Sequence, residues 1–221
     1  MSLTILCPTK GRPVAVAETY ETFLATKRLD DTEILFIVNR DEDLTDYPNV
    51  PLCIVPTREW MNEVLQEGVD YLLERTDPTY IGFIGDDNRF RTDGWDYAIT
   101  RSLNEKGGGF AYGNDLMQKD NNCSHVFIST TIVKALGYFG LPGLRHLYID
   151  NAWKTLGLRS HRLYYMPNVI VEHMHPLYGK GETDASYQLS NSPEMYEHDR
   201  TVYEAWLVSQ ASIDAEVVAH A

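Results

Sequence analysis

The residues with chemistry in them start at Asp86-Asp87-Asn88, where the apolar run Tyr80-Ile81-Gly82-Phe83-Ile84 breaks off through Gly85 into paired carboxylates. Two adjacent carboxylates in a cleft repel each other and either share a proton or recruit a cation. A hard divalent cation takes oxygen ligands and often bridges a carboxylate to substrate phosphates. Late in the chain, His173-Met174-His175-Pro176 offers two imidazoles. One residue apart on an extended segment, they face opposite sides, so at most one is expected in a given site, His173 first because it follows a strand directly. Lys10 and Arg12, in the loop Pro8-Thr9-Lys10-Gly11-Arg12, are placed to meet phosphates together with the N-terminus of the helix that Pro13 opens. Each group also has a plainer reading: Asp and Asn are common in turns, Asp150 suits a helix N-cap, and Lys10 and Arg12 suit a surface.

These groups need elements to hold them. Leu3 to Cys7 reads as a first strand, followed by a helix to about Lys27. Glu33 to Asn39 carries the unbroken run Ile34-Leu35-Phe36-Ile37-Val38 of a strand covered on both faces, and ends in the acidic loop Asn39-Arg40-Asp41-Glu42-Asp43. Leu52 to Val55 reads as a strand, and Glu59 to Leu73 as a helix with Met61, Val64, Leu65, Val69 and Leu72 in a stripe. The run ending at the acid pair is the fourth strand. The order β-α-β-β-α-β favours a mostly parallel sheet whose ligands bind at the strands' carboxyl ends. Beyond it we read a helix from Trp95 to Leu103 and strands at Phe110 to Tyr112 and His125 to Ile128. A helix over Thr130 to Leu136 and another that begins with Asp150 near its start follow. Apolar segments at Leu163 to Met166 and Val169 to Glu172 and a helix over Asn191 to Leu207 complete the reading. The expected layout is one domain over 1–210 with a frayed tail at 211–221.

The bulk numbers suit a soluble α/β protein: 221 residues, 43% hydrophobic and 23% charged. No apolar run approaches the roughly 20 residues of a membrane span, and the start reads as a strand, not a signal peptide. Three scattered cysteines suggest reduced thiols and a cytoplasmic location. A net charge of -13 lowers the expectation of a nucleic-acid partner, without excluding a local basic cleft. The first loop carries neither a dinucleotide fingerprint nor a P-loop. Trp60, Trp95, Trp153 and Trp206 read as core anchors ahead of sugar platforms. Asp184 and Tyr187 read as part of a solvated loop, with a lid over a ligand as the alternative.

The order of these features resembles the GT-A-fold glycosyltransferases, the family-2-like group in particular, over roughly residues 3 to 176. The opening Ile5-Leu6-Cys7-Pro8-Thr9-Lys10-Gly11-Arg12-Pro13 is similar to the family's first strand and loop, and Asp86-Asp87-Asn88 to its DXD metal motif, with Asn in the third place. Asp150, ahead of Trp153 and Gly157, resembles in position the catalytic base of inverting members. His173 or His175 resembles the histidine that completes the metal site in some members. The compactness is similar to that of small phage-encoded members, which would place the protein in a host cytoplasm.

The resemblance implies a GT-A-type α/β fold with a mostly parallel central sheet flanked by helices, its nucleotide-binding half at about 1–90 and its acceptor and metal-completing half at about 91–210. It implies transfer of a sugar from a nucleotide-diphosphate sugar to an acceptor hydroxyl, with Mn2+ or Mg2+ and with UDP expected ahead of GDP. Pro8, Thr9, Lys10 and Arg12 would line the nucleotide pocket. Asn39, Asp41 or Asp43 would reach the base or ribose, and Arg58 and Asn62 would help hold the nucleotide. Asp86, Asp87, Asn88 and one of the two histidines would serve ribose and metal, and Asp150 would be the general base. The acceptor stays open, a modified DNA base included, as does a homodimer. Two rival readings are a GT-A-like module that binds a nucleotide or glycan without turnover, and a sugar-phosphate nucleotidyltransferase.

Overall fold

A computed structural model describes residues 1–176, 179–181 and 183–221. The apolar runs become the inner strands: β1 (Leu3–Pro8), β2 (Thr32–Asn39), β3 (Leu52–Val55) and β4 (Tyr80–Phe83). All pair in parallel, β2 between β3 and β1, and β1 between β2 and β4. Crossovers run through α1 (Pro13–Thr26) and α2 (Met61–Arg75), which follow the helical stripes closely.

The second half continues the same sheet. After β5 (Asn88–Phe90) and α3 (Trp95–Glu105) come β6 (Phe110–Asn114), β7 (Val126–Ser129), α4 (Thr130–Leu136), α5 (Ile149–Arg159) and β8 (Leu163–His173). Among the described residues, eight strands stand in the order β3-β2-β1-β4-β7-β6-β8-β5. β7 runs antiparallel to both β4 and β6, while β8 runs parallel to β6 and antiparallel to β5. The two apolar segments either side of Pro167-Asn168 are one strand. Its register against β6 shifts between Gly113 and Asn114, which lets one element cross a proline that a straight inner strand would exclude.

Two apolar layers flank the sheet. One gathers Leu3, Ile5, Phe23, Phe36, Phe90 and Trp95 under α1 and α3, and the other packs α2, α4 and α5 with Leu65, Ile128, Trp153 and Trp206. The tail expected to fray is helical. After α6 (Ala185–Ser190) and α7 (Pro193–Ser209), α8 (Ala211–His220) buries Ala211 and Val218. Its Asp214 accepts hydrogen bonds from Trp206 Nε1 at 2.8 Å and from the Tyr138 hydroxyl at 2.6 Å. Ala211, Ala215 and Val218 on its buried face, with the Asp214 bonds, dock it on α4, α5 and α7. Cys7, Cys53 and Cys123 are buried and unpaired.

Candidate active site

The carboxyl ends of β1 and β4 open into a cleft of about 710 Å³. The chain leaves β4 through Ile84 and Gly85 and makes a tight turn, the Asn88 N–H donating to the Gly85 carbonyl at 3.1 Å. Gly85 is needed for close approach, since a Cβ there would lie 2.5 Å from the Asp87 carboxylate. The turn is pinned from below. Thr19 Oγ1 donates to the Asp86 carbonyl at 2.7 Å, and the buried guanidinium of Arg89 bonds Thr19 and the carbonyls of Asp86 and Asn88. The acid pair therefore sits on a rigid support.

Its two carboxylates have different surroundings. Asp86 is 5% exposed and accepts from Thr9 Oγ1 at 2.7 Å and Arg12 at 3.1 Å. Burial pushes its pKa up, and the charge of Asp87 adds to this, against the pull of Arg12. Asp87 faces His173, Oδ2 to Nε2, at 3.1 Å. Burial would raise Asp87 too, but the His173 contact outweighs it and holds the carboxyl below its usual range. His173 is raised in turn: burial works against the charged ring, and Asp87, Asp115 and Asp150 overcome it. Asn88 turns away from this pair as a ligand. It is 1% exposed and its amide oxygen accepts the Gly85 N–H at 2.8 Å.

Both late histidines line the cleft, which corrects the expectation of one at most. The two-residue period ends with β8 at His173, so the chain beyond it no longer alternates. The His175 ring lies 5.0 Å from that of His173 and 5.4 Å from Tyr187. Among the described residues no group of three or more His, Cys, Asp or Glu converges as a complete cation site. Asp87 and His173 nevertheless form a hard-plus-imidazole pair open to the cleft. They fit a Mn2+ or Mg2+ ion that draws its other ligands from a diphosphate.

Asp150 lines the same cleft from the first turn of α5. Tyr148, just before the helix, has a φ of 63°, a left-handed conformation unusual for a bulky residue. Asp150 Oδ1 accepts the Asn151 N–H at 2.9 Å and Oδ2 accepts from the Asn122 amide at 2.5 Å. Burial raises its pKa, more than these two donors lower it. The loop before α5 is set by Asp199 of α7, fully buried, whose carboxylate accepts the N–H groups of Arg145, His146 and Leu147 at 2.9, 2.9 and 2.7 Å. This places the His146 imidazole on the cleft wall with its pKa lowered, mainly by burial.

Of the other residues singled out, Pro8, Thr9, Lys10, Arg12, Asn39 and Arg58 line the cleft. Asn39 exchanges two hydrogen bonds with the Arg58 backbone, at 2.8 and 3.1 Å, and so braces the end of β2 against the loop after β3. Asp41, Asp43 and Asn62 are not brought there. Asp41 accepts from Thr57 and Asp43 from Thr45, both out on the acidic loop. The carboxylate that reaches back from that loop is Glu42, which accepts the Gly11 N–H at 2.6 Å. Asn62 is buried and donates to the carbonyls of Leu141 and Leu144, because its place in the first turn of α2 faces the core.

Trp95, Trp153 and Trp206 are core anchors as read, but Trp60 is not. It lies half-buried on the cleft with the Arg145 guanidinium 4.5 Å over its ring. Asp184, read as part of a solvated loop, is partly exposed but not free. It caps α6 and grips Arg12 with both oxygens, at 2.8 and 3.0 Å, bringing Ser186, Tyr187 and Leu189 onto the cleft. Asn122, His146 and Asp199 escaped sequence reading. Their only local sign is a polar residue in a loop, and nothing local says which partner it meets.

Comparison with solved structures places this architecture. The mannosyltransferase PcManGT from Pyrobaculum calidifontis, in complex with GDP-Man and Mn2+, superposes with a TM-score of 0.60 at 12% identity, covering 99% of this chain and 78% of that one. S. aureus TarS 1-349 in complex with UDP gives 0.64 at 11% identity, over 100% and 70%. Glucosyl-3-phosphoglycerate synthase from Mycobacterium tuberculosis, in complex with Mn2+, UDP-glucose and phosphoglyceric acid, gives 0.62 at 10%, over 92% and 79%. No protein-family model matches the chain, and no curated protein does. The likeness is one of fold: an α/β structure of the GT-A type, with the mostly parallel sheet flanked by helices that the sequence led us to expect.

Proposed function

We propose that this protein is a glycosyltransferase that moves a sugar from a nucleotide-diphosphate sugar to an acceptor hydroxyl. The observation that carries the reading is the meeting of Asp86, Asp87, His173 and Asp150 in the lining of one cleft, at the sheet's carboxyl ends. Thr9, Arg12 and Asp86 form the nucleotide side. Asp87 and His173 would hold Mn2+ or Mg2+, which when bound supplies Lewis-acid stabilisation of the departing diphosphate. We expect UDP as the nucleotide ahead of GDP.

Asp150 acts as general base. The acceptor oxygen bonds to the anomeric carbon, the bond from that carbon to the diphosphate oxygen breaks, and the acceptor proton passes to Asp150. The negative charge leaves with the diphosphate. A carboxylate raised by burial is a better base near neutral pH than an ordinary one. A base facing the donor with no nucleophile required fits inversion at the anomeric carbon. The Asn122 amide and Asn151 N–H hold the carboxylate in one orientation.

Calorimetric titration of UDP and GDP, with Mn2+ and then with chelator, tests the reading. Metal-dependent binding of one nucleotide, lost in an Asp86→Ala/Asp87→Ala double variant, is expected. Asp150→Asn should keep that binding and abolish transfer. Binding of neither nucleotide would refute the proposal, and transfer undiminished in Asp150→Asn would remove the base from it.

A further inference from the structure

The loop from Asp115 to Ser124 is built to a degree that its position alone does not require. Asp115 is 1% exposed, and its Oδ1 accepts the N–H groups of Met117, Gln118 and Lys119, each at 2.8 Å. Its Oδ2 accepts from Ser124 Oγ at 2.8 Å, and its carbonyl accepts the His173 N–H at 3.1 Å. The far end is fixed by Lys154, which donates to the carbonyls of Asp120 and Asn121, and by the Asn122 bond to Asp150. Leu116 and Lys119 hold φ values of 62° and 54°, strain that this bracing sustains. The loop thus runs preformed from the strand of His173 to the candidate base, and turns Met117, Gln118 and Asn122 to the cleft.

We propose that this braced loop is the acceptor-recognition wall, and that the acceptor it takes is an uncharged polyhydroxy compound, a glycan or simple glycoside. The inference rests on the glycosyltransferase reading, because Asp150 marks where the acceptor hydroxyl must arrive. Two observations carry it further. The first is the chemistry of the wall. Gln118 on the loop and Asn151 beside it in the first turn of α5 are carboxamides, each with donors and an acceptor, which is the complement of sugar hydroxyls, while Asn122 has its amide on Asp150 and its oxygen on the Cys123 N–H. Met117 adds an apolar ledge.

The second is charge. Of the described residues lining the cleft, the permanent cations are Lys10, Arg12 and Arg58, all on the nucleotide side. Lys119, on the loop itself, is exposed and does not line the cleft, and Lys154 is committed to the carbonyls of Asp120 and Asn121. A phosphorylated acceptor would therefore approach the Asp150 carboxylate with no cation of this wall lining the cleft to receive it, in a chain of net charge -13. Like charges brought together select against such a partner. A DNA acceptor would need backbone-neutralising Lys and Arg lining the cleft beside the base, and the side chains of this loop that line it are uncharged.

The test uses the whole protein loaded with Mn2+ and whichever of UDP and GDP binds in the titration above. Failure of that titration would refute the transferase reading before any acceptor is added. Saturation-transfer NMR is then run on the loaded protein with the methyl glycosides of glucose, galactose, mannose and N-acetylglucosamine, and with the 6-phosphates of the same sugars. A duplex carrying 5-hydroxymethylpyrimidines is tested by gel retardation. We expect saturation transfer to at least one methyl glycoside, loss of that signal in Gln118→Lys with nucleotide binding retained, and weaker signals from the phosphates. Stronger binding of the phosphates, retardation of the duplex, silence from every methyl glycoside, or a signal unchanged in Gln118→Lys would each overturn the proposal while leaving the donor reading standing.

Discussion

Asp87 and His173 stand 86 residues apart in the chain and 3.1 Å apart in the fold. The cause is a register: Asn88 pairs with His173 in the antiparallel ladder of β5 and β8, and the Met174 N–H donates to the Asp87 carbonyl at 2.8 Å. A slip of one residue would send the imidazole to the other face of the sheet.

If Asp87 and His173 hold the cation, His173→Ala should weaken Mn2+-dependent nucleotide binding at least about tenfold, the scale of loss when a metal site is disturbed. Binding in chelator should stay as it was. Calorimetry in both conditions separates the two, and a metal-dependent increment that survives in the variant would remove His173 from the site.

Asp150 gives a pH dependence with a definite sign. Burial raises its pKa above the roughly 3.9 of a free Asp, and if Asp150 is the proposed general base it works only when deprotonated. The acid limb of the kcat/KM profile should therefore lie above that value. The Asn122 hydrogen bond favours the charged form, so Asn122→Ala should move the limb to still higher pH and lower kcat. A limb that stays or moves down would contradict the assignment.

Asp199 should matter to stability more than any surface acid. Its carboxylate is fully buried and accepts three consecutive N–H groups. Asp199→Ala strands those donors at a cost on the order of 3 kcal/mol. Urea unfolding measures it, and a change under about 0.5 kcal/mol would show that water replaces the carboxylate.

The Arg12–Asp184 pair is partly exposed, so Asp184→Ala should change global stability by less than about 1 kcal/mol. It also removes the cap of α6 and its link to the loop after β1. Hydrogen exchange over residues 185–190 should rise while exchange in β1 and β4 holds. Unchanged exchange in α6 would mean that other contacts, such as Tyr187 on His175, hold the helix.

Ending the chain after Gln210 removes α8 and leaves Trp206 Nε1 and the Tyr138 hydroxyl without Asp214. The loss should be on the order of 3 kcal/mol from two unpaired groups and exposed apolar surface. Asp214→Asn, which keeps an oxygen acceptor, should cost less. A truncated chain with an unchanged unfolding midpoint would restore the picture of a frayed tail.

The sequence by itself determined the alternation of strands and helices through β4, the parallel core, and the acid pair at a strand's carboxyl end. Those features follow from period, turn chemistry and apolar runs, all of them local. It also marked Thr9, Arg12, Asp86, Asp87, Asp150 and His173, which the fold brings to one cleft. Tertiary structure alone decided the rest. Asn62 and Asp41 look as eligible as Arg58 in the sequence, yet the helix phase turns Asn62 inward and the loop path gives the inward reach to Glu42. His175 joined His173 because β8 ended between them. Arg12 found Asp184 from 172 residues away. Such pairings are set by strand register and by which helix face packs on the sheet, and no short stretch of chain carries that information.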